Sequence, residues 1–284
     1  MSAKLKNLSD LTNRGPHQVM EGDLGYTGLP GVLYAPAEGT DLPAVAFGHD
    51  WTRSVADYRN TLRHLASWGI VVAAPDTETG LNPDHAGLAA DLETTLQILA
   101  GVRLGNGNIT VAPSKLGLAG HGMGAGAATL AAVENEKLAA VAAVFPAATA
   151  PSAIDAARNL FVPGMVIGPD SDANAIFDPG NPAALAYNWA GEVVYRVVKN
   201  GSQNNFAEDG MAKRLIGLGA PNRRVQSTVR ALLTGYFLHQ LGGDKDYEAF
   251  SEVDASGKGV SSMFGEELAK HAGLTPNDNG LPIH

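Results

Sequence analysis

The most constraining feature of the chain is an apolar segment that leads into a tight glycine turn and then into an alanine-rich stretch. The apolar segment covers Lys115–Ala119, glycine stands at positions 120, 122, 124 and 126, and the alanine-rich stretch follows from Gly124. Residues 115–119 are typical of a buried strand, and small residues allow the next helix to pack closely against a sheet. The pattern therefore predicts a strand, a sharp turn and a helix.

Strand-like and helix-like segments alternate along most of the chain. Apolar runs bounded by glycine or proline predict strands, and leucine at helical spacing predicts helices. The predicted strands are residues 31–35, 42–47, 70–74, 115–119, 139–145, 164–167 and 192–198, and the predicted helices are residues 58–68, 84–100, 124–133, 182–189 and 223–241. Strands separated by helices favour parallel pairing. We predict an α/β fold with a mostly parallel central sheet flanked by helices.

The chain of 284 residues is expected to form a single domain. Hydrophobic residues make up 45% of it, which is enough to build a full core. Neither an internal repeat nor a linker is visible, and the core is predicted at about residues 28–250. Residues 242–284 are polar and rich in glycine, so they are predicted to be a surface tail with at most one short helix.

Charge and composition exclude several classes of function. The net charge is −9 without basic clusters, which disfavours binding to nucleic acid. The absence of cysteine excludes disulfides, thiolate catalysis and cysteine-based metal sites. No apolar run reaches the ~18 residues of a membrane-spanning helix, and the first 14 residues lack the apolar segment of a secretory signal. A cytoplasmic location is expected, and the sequence leaves the oligomeric state open.

The glycine turn matches the nucleophile elbow of the α/β-hydrolases, whose pattern is G-x-S-x-G. In the frame Gly120–Gly124, both flanking glycines are in place, but Gly122 stands at the central position where the pattern has serine. Glycine has no side chain and cannot attack a carbonyl carbon. The scaffold of a hydrolase is therefore predicted without its usual nucleophile.

Around this turn, the chain resembles the dienelactone hydrolase-like and bacterial polyester hydrolase-like branches of the α/β-hydrolases over about residues 28–250. Besides the elbow, the resemblance is carried by Pro43–Asp50, Ala66–Asp76 and the end of the C-terminal helix at Leu241–Asp244. It implies that the backbone N–H groups of His49 and Met123 form an oxyanion hole. It also implies a small apolar or ester-like ligand.

The resemblance further implies where the acid and the histidine of the catalytic triad would lie. Met165–Asp172 matches the loop that carries the acid, and Asp172 falls at the family position. The histidine loop matches Lys199–Phe206 but contains no histidine, and either Gln203 or Asn204 stands in its place. A side-chain amide does not titrate near neutral pH and cannot take a proton from serine. Two of the three triad positions have therefore lost their functional residue.

His121 is the one alternative catalyst beside the empty position. It is either a substitute base or nucleophile, or a structural histidine packed beneath the turn. The spacing of His49, Asp50 and His121 is not diagnostic of a metal site, so no metal is expected. No cofactor is expected either, because the glycine pattern that begins at Gly120 lacks the acidic residue that a dinucleotide-binding unit places after its next strand.

Four further side chains are predicted to line a pocket over the turn: Asp50, Trp51, His85 and Trp189. The two tryptophans stand in loops and are suited to hold an apolar ligand. The sequence thus favours a hydrolase-family protein that lacks the Ser-His-Asp machinery and binds a ligand or is weakly active. Two alternatives remain, an esterase- or lyase-type enzyme that uses His121, and a structural or interaction protein with a vestigial pocket.

Overall fold

The computed structural model describes residues 3–135, 137–170, 180–208 and 221–274. Within these ranges, nine strands form one sheet in the order β1-β2-β4-β3-β5-β6-β7-β8-β9. The strands are β1 (Val19–Asp23), β2 (Gly31–Pro36), β3 (Gly39–Gly48), β4 (Val71–Pro75), β5 (Ile109–His121), β6 (Ala140–Val144), β7 (Gly164–Pro169), β8 (Val193–Val198) and β9 (Val260–Met263). The α-helices are α1 (Arg59–Ser67), α2 (His85–Gly101), α3 (Met123–Val133), α4 (Ala153–Ala156), α5 (Pro182–Asn188), α6 (Arg223–Gln240) and α7 (Gly265–His271).

The middle of the sheet is parallel. Strands β3 to β8 pair in parallel, whereas β1, β2 and β9 pair antiparallel at the two sides. Every residue of β4 and β6 is buried, as expected for apolar strands that carry helices on both faces. The predicted mostly parallel sheet with flanking helices is confirmed.

Hydrophobic clusters cover both faces of the sheet in the described residues. One cluster packs α1 and α6 against the sheet, and another packs α2, α3 and α5 against the opposite face. The predicted leucine stripe of α2 is fully buried, because Leu88, Leu92, Leu96 and Leu99 recur at helical spacing on the inner side. No helix in the described part of the chain is both long and apolar enough to cross a membrane.

The prediction that the chain from Gly242 onwards is a surface tail is wrong for the residues that the structure describes. A 3-10 helix over Lys245–Ser251 buries Phe250 against Gly235 of α6, and β9 then extends the sheet beside β8. The buried guanidinium of Arg196 donates hydrogen bonds to the carbonyl oxygens of Phe250, Glu252 and Val253. The sequence of this segment is mostly polar, because backbone groups and only a few scattered apolar side chains hold it to the rest of the protein.

The core also begins before residue 28. Leu5, Leu8 and Leu11 are buried in the same core as α6, and β1 was not among the predicted strands. β1 was not predicted because four of its five residues are exposed, and its sequence therefore lacks the run of apolar residues that is typical of an inner strand.

Glycines allow α3 to lie against the ends of β3 and β5. A Cβ atom at Gly48 would lie 2.9 Å from the Gly124 Cα atom, and a Cβ at Gly124 would overlap the backbone of Gly48 and His49. A Cβ at Gly120 would overlap the Gly124 carbonyl group. The flanking glycines of the turn are therefore required by backbone-to-backbone contact, independently of any chemistry.

We expect Gly124→Ala to destabilise the protein by about 3 kcal/mol or more, because the added methyl group meets backbone that cannot move without breaking the pairing of β3 with β5. Gly101→Ala is the matched control, since it ends α2 and its Cβ would meet no atom within 4 Å. The control should change the free energy of unfolding by less than about 1 kcal/mol, in the stabilising direction. Urea denaturation measures both, and equal effects would contradict the close-packing argument.

Candidate functional site

The turn at Gly122 has the geometry of a nucleophile elbow. Gly122 stands between the last residue of β5 and the first residue of α3, with φ 55° and ψ −117°. Its N–H donates to the Val144 carbonyl oxygen at 3.0 Å, which fixes the turn against β6. The predicted strand, sharp turn and helix are confirmed, and glycine adopts the positive φ angle of this turn at low cost.

The carboxylate of Asp50 fills the space of the absent nucleophile side chain. A Cβ atom at position 122 would overlap the Oδ1 and Cγ atoms of Asp50. The Met123 N–H donates to Asp50 Oδ1 at 3.0 Å, and only 5% of the Asp50 side chain is exposed. The Met123 amide was expected to face a cavity and bind a substrate carbonyl. In the structure, the protein's own carboxylate takes that hydrogen bond.

Gln203 completes this arrangement from the histidine loop. Its side-chain Nε2 lies 3.1 Å from both carboxylate oxygens of Asp50. A 3-10 turn over Gln203–Asn205, closed by a capping box between Ser202 and Asn205, places the side chain directly after β8. Of the two candidates for the histidine position, Gln203 therefore contacts Asp50 at the elbow. The expected acid, Asp172, lies outside the residues that the structure describes.

His121 is buried beneath the turn. Its Nδ1 lies 2.8 Å from the hydroxyl oxygen of Tyr58, and its ring packs edge-on against Tyr58 and Phe206. The same hydroxyl accepts a hydrogen bond from the Asp50 N–H at 3.1 Å. Burial raises the pKa of Tyr58 well above its ordinary value, and the Asp50 carboxylate raises it further. The phenol therefore stays neutral, and its hydroxyl engages His121 Nδ1 in a structural hydrogen bond.

His49 is also buried, and its ring fixes two loops to each other. Its Nδ1 lies 2.9 Å from the Asp50 carbonyl oxygen, and its Nε2 lies 2.6 Å from the Thr77 carbonyl oxygen. The contact holds the end of β3 to the loop that follows β4. The role of the His49 N–H in an oxyanion hole stays a prediction.

The predicted pocket residues separate into two groups. Trp51 follows Asp50 and donates from its indole nitrogen to the Leu81 carbonyl oxygen at 3.1 Å. His85 lies at the same edge of the sheet, where its Nδ1 accepts a hydrogen bond from the Ala150 N–H at 2.9 Å. Both stay candidates for the rim of the site.

Trp189 does not belong to this site. Its indole nitrogen donates to the Val162 carbonyl oxygen at 2.8 Å, and its ring packs on Gly164, the first residue of β7. Because β5, β6 and β7 are parallel, the start of β7 lies at the sheet edge opposite to Gly122. The prediction that Trp189 flanks the pocket is wrong, because a loop tryptophan gives no indication of which edge its loop joins.

Sequence reasoning placed Asp50 at the pocket but missed that its carboxylate occupies the nucleophile position, and it missed Tyr58. One signal was available, an acidic residue directly after the expected oxyanion residue in a chain whose elbow is empty. Among the residues that the structure describes, no group of three or more His, Cys, Asp or Glu side chains is arranged to hold a metal ion.

A comparison with known protein families agrees with the fold. Residues 8–216 match the family described as PETase, PET hydrolase-like, which is more than half of the chain. No curated protein matches the chain significantly. The mostly parallel sheet, the elbow between β5 and α3 and this match together show that the chain belongs to the PET hydrolase-like family of the α/β-hydrolase superfamily.

Proposed function

We propose that this chain is a ligand-binding or weakly active relative of the esterases that has lost the serine mechanism. The observation that carries the proposal is the Asp50 carboxylate, which stands in the space of the nucleophile and is held by the Met123 amide and Gln203. An ester carbonyl would have to displace an internal anion before it could reach that amide.

The other described groups at the elbow offer no replacement for the lost chemistry. Serine attack requires a base within hydrogen-bond reach, and the Gln203 amide cannot accept a proton. Asp50 is itself a poor nucleophile here, because its Oδ1 accepts the N–H that would have to stabilise the oxyanion. These contacts favour ligand binding over ester hydrolysis as the function of this site.

The alternative enzyme uses His121, whose Nδ1 lies 4.0 Å from Asp50 Oδ2. A carboxylate at that distance could orient an imidazole, but only 1% of the His121 side chain is exposed. A substrate carbonyl would not reach it without rearrangement of Tyr58 and Phe206. The other alternative, an interaction protein with a vestigial pocket, predicts neither turnover nor binding of small molecules.

Turnover of p-nitrophenyl acetate and butyrate by the purified protein tests the proposal. We expect only marginal hydrolysis, equal in the wild type and in His121→Ala, because the described residues at the elbow include no nucleophile that is paired with a base. Circular dichroism confirms that the variant is folded. Brisk turnover by the wild type that disappears in a folded His121→Ala protein would reject the proposal and identify His121 as the catalyst.

A further inference from the structure

The charge of Asp50 is held by neutral groups. Its hydrogen-bond donors are the Met123 N–H and the Gln203 amide, and in the described residues its one ion-pair contact is His121 Nδ1 at 4.0 Å, which is charged only if protonated. That nitrogen also faces the Tyr58 hydroxyl at 2.8 Å. The position of Asp50 at the first turn of α3 suits a negative charge, because helix N-termini attract anions.

The carboxylate has unused acceptor capacity. An ionised carboxylate offers about four lone-pair sites. The Met123 N–H and Gln203 Nε2 both approach Oδ1, whereas in the described residues Gln203 Nε2 is the one hydrogen-bond donor to Oδ2. Gln203 uses its amide nitrogen in the contact with Asp50. Its amide oxygen, Oε1, is a further acceptor. The carboxylate of Asp50 therefore offers an acceptor atom at a position where an esterase presents donors.

This arrangement reverses the polarity of the site. An oxyanion hole binds a carbonyl oxygen or an anion through N–H groups, but here the Met123 N–H is occupied and a negative charge stands in front of it. A carboxylate or ester carbonyl would meet a like charge or a lone pair. A ligand with several N–H donors and a positive charge would meet complementary partners.

We propose that the site binds a primary ammonium ligand, which donates to Asp50 Oδ2 and to Gln203 Oε1. This inference rests on the proposed ligand-binding function and gives its ligand class. Trp51 directly follows Asp50, and its indole nitrogen is bonded to the Leu81 carbonyl oxygen. The Leu81 side chain is 81% exposed. In this proposal the Trp51 ring and the exposed Leu81 side chain contact the apolar body of the ligand.

The test compares three probes that differ in the charge of one group: benzylammonium, benzyl alcohol and benzoate, titrated at constant ionic strength and followed by NMR or calorimetry. We expect the wild type to bind benzylammonium at least about tenfold more tightly than benzoate, with benzyl alcohol between them. Wild-type protein that binds benzoate as tightly as benzylammonium would overturn the proposal.

Two variants assign the preference to Asp50. Asp50→Asn keeps the shape and removes the charge, so the preference for benzylammonium should disappear. Asp50→Ala frees the Met123 N–H, so benzoate should become the preferred probe. Glu266→Gln is the control for the change in net charge, because it alters an exposed carboxylate of α7 and should leave the preference unchanged.

Thermal melting shows that each variant is folded, and persistence of the preference in folded Asp50→Asn would also overturn the proposal. Failure of the proposed function is seen separately, as ester turnover by the wild type, whereas failure of this inference is seen in the order of the three affinities.

Discussion

Gly122→Ser alone should leave the protein without useful esterase activity, and hydrolysis should rise most when Gly122→Ser, Gln203→His and Asp50→Ala are combined. A Cβ at position 122 overlaps the Asp50 carboxylate, so a serine there is displaced from its proper rotamer as long as Asp50 remains. Gln203→His supplies a base from the loop that already meets the elbow. Asp50→Ala clears the space and frees the Met123 N–H.

We expect the triple variant to exceed Gly122→Ser by about 10²-fold in initial rate, the low end of what a general base contributes. The gain is limited because a transplanted histidine must be held within ~0.5 Å by neighbours that this loop did not evolve to provide. The double variant Gly122→Ser, Gln203→His should exceed each of its single variants and remain below the triple variant.

The measurement is the initial rate of p-nitrophenyl butyrate hydrolysis at equal concentrations of folded protein. A triple variant no faster than the double variant would show that Asp50 is not the obstacle. Rapid hydrolysis by Gly122→Ser alone would show that Asp50 moves aside freely and that another base is in place.

Glu208→Ala should cause the largest loss of stability among substitutions at the end of the Gln203 loop. The part-buried Glu208 carboxylate accepts hydrogen bonds from the backbone N–H groups of Asn60 and Thr61 at the start of α1, both at 2.8 Å. It also pairs with Arg230 of α6 at 2.9 Å, and the two side chains are only 11% and 17% exposed. One carboxylate therefore joins this loop to two helices.

We expect Glu208→Ala to lower the free energy of unfolding by about 3–5 kcal/mol, because it leaves the Arg230 charge buried without a partner and the α1 N–H groups without an acceptor. Arg230→Met in the same chain should recover part of the loss by removing that charge. The control is Asp155→Ala, which breaks an exposed pair with Arg158 and should cost less than about 1 kcal/mol.

Urea denaturation of the four proteins measures these differences. If Glu208→Ala lowers the free energy of unfolding by less than about 1 kcal/mol, the Glu208–Arg230 pair contributes no more than an ordinary surface ion pair. That result would also contradict the role of Glu208 in fixing the loop that carries Gln203.

The sequence determined the layout of the fold. Apolar runs and helical leucine spacing are local patterns, so the parallel strands and their helices could be located from them, as the fully buried leucines of α2 illustrate. The positive φ angle at Gly122 was also predictable, because a turn between a buried strand and a packed helix leaves few backbone conformations. The edge strands β1 and β9 were missed, since their mostly exposed or part-buried residues carry no such pattern.

Only the tertiary structure decided what fills the site. Asp50 and Met123 are 73 residues apart in the chain, and Asp50 and Gln203 are 153 residues apart, so no local pattern relates them. The 3-10 turn after β8 brings Gln203 to Asp50. The loop that carries Trp189 returns to the opposite edge of the sheet, so Trp189 is not part of the pocket. The sequence alone showed that position 122 carries no nucleophilic side chain. The structure placed a carboxylate in that space because parallel strands bring distant loops together at one edge of the sheet.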